Sequence, residues 1–279
     1  LWASNEIVSE FASVYAVHFL LEARERDFIV AEDLLTNANT WLRQLAAREG
    51  AGLADLRVRA YAIYLLTRQG TVTSNYLAAL QQQLDRDHGK VWRKDLVAAY
   101  MAASQRLMKN SKAADDLIGK MRVGEPQQAD YAAYYDGLIY DAQLVYLLSK
   151  HFPERLKAMP PDVLNSLVGG IERGTYNTLS SSYIVLALDA YADVVGFAGD
   201  GKFTIAEVLR NGSLRALQLP KGLFPRVDFS DQAAKIRFSS ASPYTAYYHA
   251  TQSGYDIGMP SKPLRNGLEV LREYTDLEG

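Results

Sequence analysis

Apolar positions recur every three or four residues from near the start of the chain to about residue 195. Phe11, Tyr15, Phe19 and Ala23 form one such stripe, with Ala12, Ala16 and Leu20 beside it, and Glu22, Arg24, Glu25 and Arg26 supply a polar end. That spacing predicts an amphipathic helix with most of its surface buried. The same period covers 31–47, 54–69, 73–87, 92–108, 112–121, 127–151, 160–173 and 179–195. Gly50-Ala51-Gly52, Gly70, Gly89, Gly124-Glu125-Pro126 and Pro160-Pro161 interrupt it. Such residues end helices through backbone freedom or a missing N–H. About nine helices joined by short loops are predicted, making this region all-α.

A repeat runs through these helices. Alternate ones carry a Tyr followed by small and apolar residues: Tyr15-Ala16-Val17, Tyr61-Ala62-Ile63, Tyr100-Met101-Ala102, Tyr140-Asp141-Ala142 and Tyr183-Ile184-Val185, at intervals of 46, 39, 40 and 43 residues. Each interval accommodates one helical hairpin. Ala16, Ala62, Ala102 and Ala142 allow close approach of one helix per unit, with a more polar helix outside it. The period fits an open α-solenoid and a closed ring of inner and outer helices, the α/α toroid, equally well.

The pattern changes at Gly196-Phe197-Ala198-Gly199-Asp200-Gly201. Beyond it the hydrophobic period shortens towards two, in Ser213 to Leu217, Ala234 to Phe238 and Tyr244 to Ala250, with breaks at Gly222, Asp231 and Pro243. These alternations predict strands. About four to six short strands form a β-sandwich-like module or part of one. The division expected is therefore 1–197 helical and 198–279 β. Leu268 to Tyr274, followed by Asp276-Leu277-Glu278-Gly279, reads as a further strand entering a turn. With Leu1 rather than Met at its start, the chain is expected to be a fragment or a processed product.

Composition narrows the function classes. The 279 residues are 48% hydrophobic and 22% charged, which excludes a disordered chain, and 30 basic against 32 acidic residues leave no electrostatic footprint for nucleic acid. No local basic stripe emerges either. The longest apolar runs, such as Val14 to Leu21, fall short of the roughly 20 residues that span a bilayer. Absence of Cys removes disulfides, thiolate nucleophiles and Cys-bound metals from this chain.

Catalytic chemistry finds little purchase. His18, His88, His151 and His249 occupy separate elements without metal-ligand spacing, so none is assigned a catalytic or metal role. His18 lies one helical turn from Tyr15 and Glu22 and reads as packed or solvated, whereas His88 and His151 fall at helix ends, where a cation suits the macrodipole. Glycosidases, lyases and terpene cyclases built on α/α toroids need acidic pairs facing one cavity or Asp-rich metal motifs. Here Asp115-Asp116 has no third acid, and Asp136 and Asp141 are five residues apart, so solvated helix faces are expected. Ser180-Ser181-Ser182 lacks a Gly-x-Ser-x-Gly elbow and reads as a helix cap. No P-loop, dinucleotide fingerprint or other cofactor motif occurs.

The 18 Tyr against 9 Phe stand out. Tyr131, Tyr134 and Tyr135 are predicted to cluster on a helix, and Tyr244, Tyr247 and Tyr248 on a strand. Each side chain combines apolar area with one hydrogen-bonding tip, so both clusters are candidate interfaces with a domain or partner, although ordinary packing accounts for most tyrosines.

The order of the segments carries more information than any one of them. Ser9 to Ala23, SEFASVYAVHFLLEA, resembles the helix that follows the thioester segment in the α2-macroglobulins and complement proteins, above all the bacterial α2-macroglobulins. Leu34 to Leu45, with Ala38-Asn39 and Trp41-Leu42, resembles that family's next helix, Leu56 to Leu66 the following inner helix, and Thr178 to Tyr191 the last helix of the thioester-type domain. From about Phe203 the chain resembles the returning half of the CUB-like domain, and Leu268 to Gly279 the first strand of the next macroglobulin domain. The resemblance implies an α/α toroid lacking its opening helices, followed by CUB-like β-sandwich strands.

It also implies a function: a fragment of a periplasmic endopeptidase inhibitor, in which cleavage of a bait segment triggers trapping of the attacking protease. The implied partners are the parent's other macroglobulin domains and target proteases, with no turnover chemistry and with anchoring to the inner membrane through the parent's N-terminus as an option. Two departures bear on mechanism. The family's Cys-x-Glu-Gln thioester motif lies upstream of the helix at 9–23, and this chain has no Cys, so the motif either precedes the chain or is missing from the parent. The loop Arg48 to Asp55 also lacks the His with which complement proteins activate the thioester, which leaves amine-directed or purely steric trapping. The competing expectations are a toroid enzyme acting on polysaccharides, marked by an acidic cleft, and a helical-repeat interaction scaffold, marked by an open array.

Overall fold

The computed structural model describes residues 9–195, 203–220, 226–241, 248 and 250–254. Residues Leu1–Thr245 form one compact unit and Ala246–Gly279 a second. The first begins with ten α-helices: α1 (Glu10–Glu25), α2 (Glu32–Ala47), α3 (Leu53–Arg68), α4 (Ser74–His88), α5 (Leu96–Leu107), α6 (Ser111–Ile118), α7 (Gly137–His151), α8 (Pro153–Lys157), α9 (Asn165–Glu172) and α10 (Thr178–Val195). Each of the nine expected helices is present and one short helix is added; the starts of those expected over 92–108, 127–151 and 160–173 move to Leu96, Gly137 and Asn165, the first two because of capping.

The helix expected over 127–151 starts only at Gly137. Asp136 has extended backbone and its Oδ1 accepts the Ile139 N–H at 2.8 Å, so it is the N-cap. Before it, Asp130 and Tyr135 pair as an isolated bridge around a short 3-10 turn, Tyr131–Ala133, and Tyr134 is left-handed at φ 54°. Tyr131, Tyr134 and Tyr135 therefore lie on a loop, not on a helix. Asp95 acts in the same way further up the chain, accepting the Val97 N–H at 2.9 Å and placing the start of α5 after a 3-10 turn, Val91–Lys94. The additional helix α8 opens on Pro153, whose fixed φ suits a first turn.

Burial separates two classes of helix. Along α3, α5 and α7 whole runs are buried on every side, from Arg59 to Thr67, Leu96 to Ser104 and Ile139 to Ser149. Helices α2, α4 and α6 bury only one stripe, for example Leu77, Leu80, Gln83 and Leu84 of α4. The first class is the inner layer and the second covers it from outside, as amphipathic pattern demands. Helix α3 packs against α1 and α5, α5 against α7, and α7 against α10. The first and last inner helices then meet: the Tyr15 and Tyr183 rings lie edge to face, 5.2 Å between centroids, and Arg26 pairs with Asp189. An open solenoid would hold these helices at opposite ends, so the array is the closed, toroidal alternative.

After the helices come β1 (Phe203–Leu209), β2 (Leu214–Leu217) and β3 (Ala233–Ser240), an antiparallel sheet in the order β2-β1-β3. Ala206 faces Ala216 on one side and Arg237 on the other, with a bulge at Val208/Leu209. Buried Glu207 of β1 accepts from the backbone and hydroxyl of Ser230 and from Arg215 at 2.7 Å, fastening the connection before β3 to the sheet. The expected strands at 213–217 and 234–238 are β2 and β3, whereas β1 lacked a clean alternation. Of the strand expected over 244–250, Tyr248 and Ala250 are not in a strand, and Tyr244, Tyr247 and the tail 268–279 lie outside the described residues.

Candidate interaction site

The loop before α7 divides its three tyrosines. Tyr131 is 75% exposed and Tyr134 45%, whereas Tyr135 is only 4% exposed. Tyr134 stacks on Phe11 of α1, with centroids 4.8 Å apart and planes 10° from parallel. Tyr135 turns inward beneath the Arg57 guanidinium, which sits 3.6 Å from its ring centroid, and its hydroxyl donates to Gln127 at 2.9 Å. Arg57 is held by Asp95 through two hydrogen bonds, at 3.0 and 2.7 Å. Asp95 thus performs two tasks, capping α5 and aiming Arg57 at Tyr135. Burial pushes the Tyr135 phenol far above its ordinary range and the Asp95 charge pushes the same way, so it is neutral. A narrow slot opens here between Phe11, Arg57, Tyr61, Tyr100, Tyr134 and Gln143.

Towards the other end of the inner helices lies a polar cluster. His18, 2% exposed, contacts the Tyr61 hydroxyl through Nδ1 at 2.5 Å and the Tyr146 hydroxyl through Nε2 at 3.1 Å. Glu22, one turn on, accepts from Tyr146, Arg26 and Arg68, the last at 2.5 Å. Arg68 also reaches the Tyr146 hydroxyl at 2.8 Å and pairs with Glu25. Tyr64 meets His151 at 2.9 Å. Burial works to raise the Glu22 pKa, yet hydrogen bonding from His18 and the Arg68 charge hold it well below the carboxylate range. Burial keeps His18 neutral against the pull of Glu22, and burial with the Arg68 charge lowers His151 to about 3.

A neutral His beside an ionised Glu and several phenols is the raw material of acid–base catalysis. Here, however, the groups are spent on each other and sealed from solvent, so the cluster binds α1 to α3 and α7. The other acids are equally occupied. Asp115 pairs with Arg106, Asp136 caps α7, and buried Asp141 accepts the Gly124 N–H at 2.8 Å. They face no common cavity, and among the described residues no cluster suited to a metal ion occurs. The cap of α10 is Asn177 rather than the serine run: its Oδ1 accepts the Ser180 N–H and the Ser180 hydroxyl accepts the Asn177 N–H, each at 2.9 Å, with Ser180, Ser181 and Ser182 inside the helix. In the loop that lacks a His, Asp55 accepts the N–H groups of Ala51 and Gly52 at 3.0 and 3.2 Å. His249 lies outside the described residues.

Phe11, Arg57 and Asp95 belong to the tyrosine site and were not singled out from the sequence. The signal available was an acid just before an apolar helix, the usual mark of a cap. Nothing local could reveal its partner 38 residues away.

No family model matches the sequence. The chain is 36% identical over 287 aligned residues to an α2-macroglobulin homologue of Yersinia pestis, covering 100% of this chain and 14% of that protein. It is 35% identical over 291 aligned residues to the α2-macroglobulin of Pasteurella multocida, covering 100% of this chain and 15% of that one. Among solved structures, the native conformation of Escherichia coli α2-macroglobulin matches 87% of this chain and 15% of its own, with a TM-score of 0.56 at 16% identity. The same protein activated by porcine elastase matches 87% of this chain and 21% of its own, with a TM-score of 0.54 at 17% identity. The chain spans about one seventh of the length of these curated relatives. Similar along its whole length to proteins of that name, it belongs to the bacterial α2-macroglobulin family.

Proposed function

We propose that this chain supplies the thioester-type ring, residues 1–197, and the CUB-like strands, 198–279, of a periplasmic protease-trapping inhibitor. Unbroken similarity to α2-macroglobulins across the whole chain is the observation that carries this reading. Proteolytic activation of the E. coli relative by elastase supports an endopeptidase as the target. In this reading the ring is a rigid body that a rearrangement swings, and its chemistry is docking rather than turnover. Tyr131 and Tyr134 on the loop before α7 contact other macroglobulin domains of the parent, and the separate tyrosine cluster expected at Tyr244, Tyr247 and Tyr248 is proposed for the same kind of contact.

Helices α1 and α10 offer a second docking face. Ala12, Ala16 and Phe19 of α1 are exposed, Phe19 at 65%, and a cleft of about 560 Å³ lies along Thr178, Ser181, Ser182 and Val185 of α10. A further helical segment of the parent packs there, against the outer side of the closing contact. No His stands in the loop Arg48 to Asp55 to favour transfer to hydroxyls, so capture is amine-directed or steric.

The test uses the full-length parent and an endopeptidase with no other inhibitor present. After bait cleavage, activity on a protein substrate falls while activity on a short chromogenic peptide persists, because a cage blocks large molecules alone. Loss of both activities indicates a conventional active-site inhibitor, and loss of neither removes the inhibitor reading.

A further inference from the structure

We propose that the C-terminal end of α6 carries an oxyanion site that takes a phosphate group between Arg106, Arg122 and Arg155. These guanidiniums come from α5, the loop after α6, and α8. Arg122 donates to the carbonyls of Gly119 and Met121, both at 2.8 Å. Arg155 donates to the same two oxygens at 3.3 and 3.2 Å. Two cations thus converge on one pair of carbonyls, and neither has an ion-pair partner among the described residues. Arg106 is the third cation of the proposed site, linked to the others through Asp115, which pairs with it and whose charge acts on Arg155. The Arg106 guanidinium lies 4.8 Å from the ring centroid of Phe152, the residue three before Arg155, and pairs with Asp115, one turn before Gly119.

Three features favour an anion at this place. Among the described residues the carboxylate seen to act on Arg106 and Arg155 is Asp115, and its side chain is largely exposed. The Nε atoms of Arg106 and Arg155 are buried without an acceptor, a costly arrangement for a donor. Burial and the neighbouring Arg122 charge also push Arg155 below the ordinary guanidinium range. An anion relieves all three at once. The carbonyls at the end of α6 cannot serve as its ligands; they position the arginines. Guanidiniums on three separate segments suit a tetrahedral phosphate, which has enough oxygens for each fork, better than a planar carboxylate with two. Inorganic phosphate and a phosphorylated headgroup share this chemistry.

The experiment titrates the 279-residue chain with inorganic phosphate against chloride at matched pH and ionic strength, following Tm and the phosphorus NMR line width. A saturable rise in Tm is expected. Arg122→Gln weakens the affinity about tenfold or more, as does Arg155→Lys, which keeps the charge and loses the fork. Arg43→Gln on α2 leaves it unchanged. Should Arg155→Lys fail to fold, the exposed Arg122 position decides alone, with circular dichroism in chloride as the control for folding. A rise that does not saturate, or that is equal in wild type and Arg122→Gln, is a general salt effect and overturns the proposal. Glycerol 3-phosphate as a second probe separates the sources: binding equal to phosphate extends the site to headgroups, and weaker binding restricts it to the free ion.

Discussion

Two sets of tyrosines sit in one ring and do opposite work. In the interior, Tyr61, Tyr64, Tyr100, Tyr146 and Tyr183 are buried among His18, Glu22 and Arg68. On the loop before α7, Tyr131 and Tyr134 face solvent while Tyr135 alone is drawn in beneath Arg57. The residue type is the same and what differs is burial; in the interior set Tyr61, Tyr64, Tyr146 and Tyr183 also find a fixed partner for the hydroxyl. A phenol with a partner can be buried for its apolar area; one without keeps its tip in water, where it serves an interface.

Substitutions that strip the interior of its anion break this contrast most severely. Glu22→Ala leaves Arg68, Arg26 and the Tyr146 hydroxyl without their common acceptor, and urea unfolding should show a loss of about 3–5 kcal/mol. Tyr100→Ala removes a ring stacked on Tyr61 at 4.6 Å in the core, with a comparable expected loss of roughly 3–5 kcal/mol. Tyr61→Phe is milder, since only the hydroxyl that meets His18 disappears; about 1–2 kcal/mol is expected in the same assay.

Acid sharpens the contrast, because only the interior set is coupled to buried ionisable groups. The His151 pKa is lowered from 6.5 to about 3 in the folded state, so the unfolded chain binds more protons between those values. Stability therefore declines as pH falls from 6.5 towards 3. Glu22, also depressed on folding, adds a further loss as pH drops below its unfolded value of 4.5. His151→Gln should reduce the slope of the upper part of the profile, leaving there the share due to His18, which burial also keeps neutral, and leave the acid limb due to Glu22; an unchanged slope between pH 6.5 and 5 would remove His151 as a source. The smallest effect belongs to the surface. Tyr131→Ala should alter stability by no more than about 0.5 kcal/mol and yet weaken association with a neighbouring macroglobulin domain, read by calorimetry.

Much of this was visible in the sequence. The recurring Tyr and small-residue pairs located every inner helix, because an inner helix needs close neighbours all along its length. Closure of the ring was not legible, since it depends on Tyr15 meeting Tyr183 and Arg26 meeting Asp189. The loop at 127–136 was misread for a local reason: its apolar spacing continues that of α7, but the side chains of Asp130 and Asp136 bind nearby backbone N–H groups and divert the chain. Glu22 was hidden by position. At the end of an apolar stripe it looked like the solvated edge of a helix, and the distant partners that help make its burial tolerable, Arg68 and Tyr146, lie 46 and 124 residues later.

The contact that closes the ring joins residues 163 positions apart. On a ribosome adding about 5–20 residues per second, roughly 8–33 s separate the synthesis of Arg26 from that of Asp189. Until then α1 has no partner on that flank, and its apolar face is open to other nascent chains. The last inner helix therefore sets the moment at which this region ceases to be vulnerable to aggregation, and truncations that stop short of α10 should be recovered as insoluble protein.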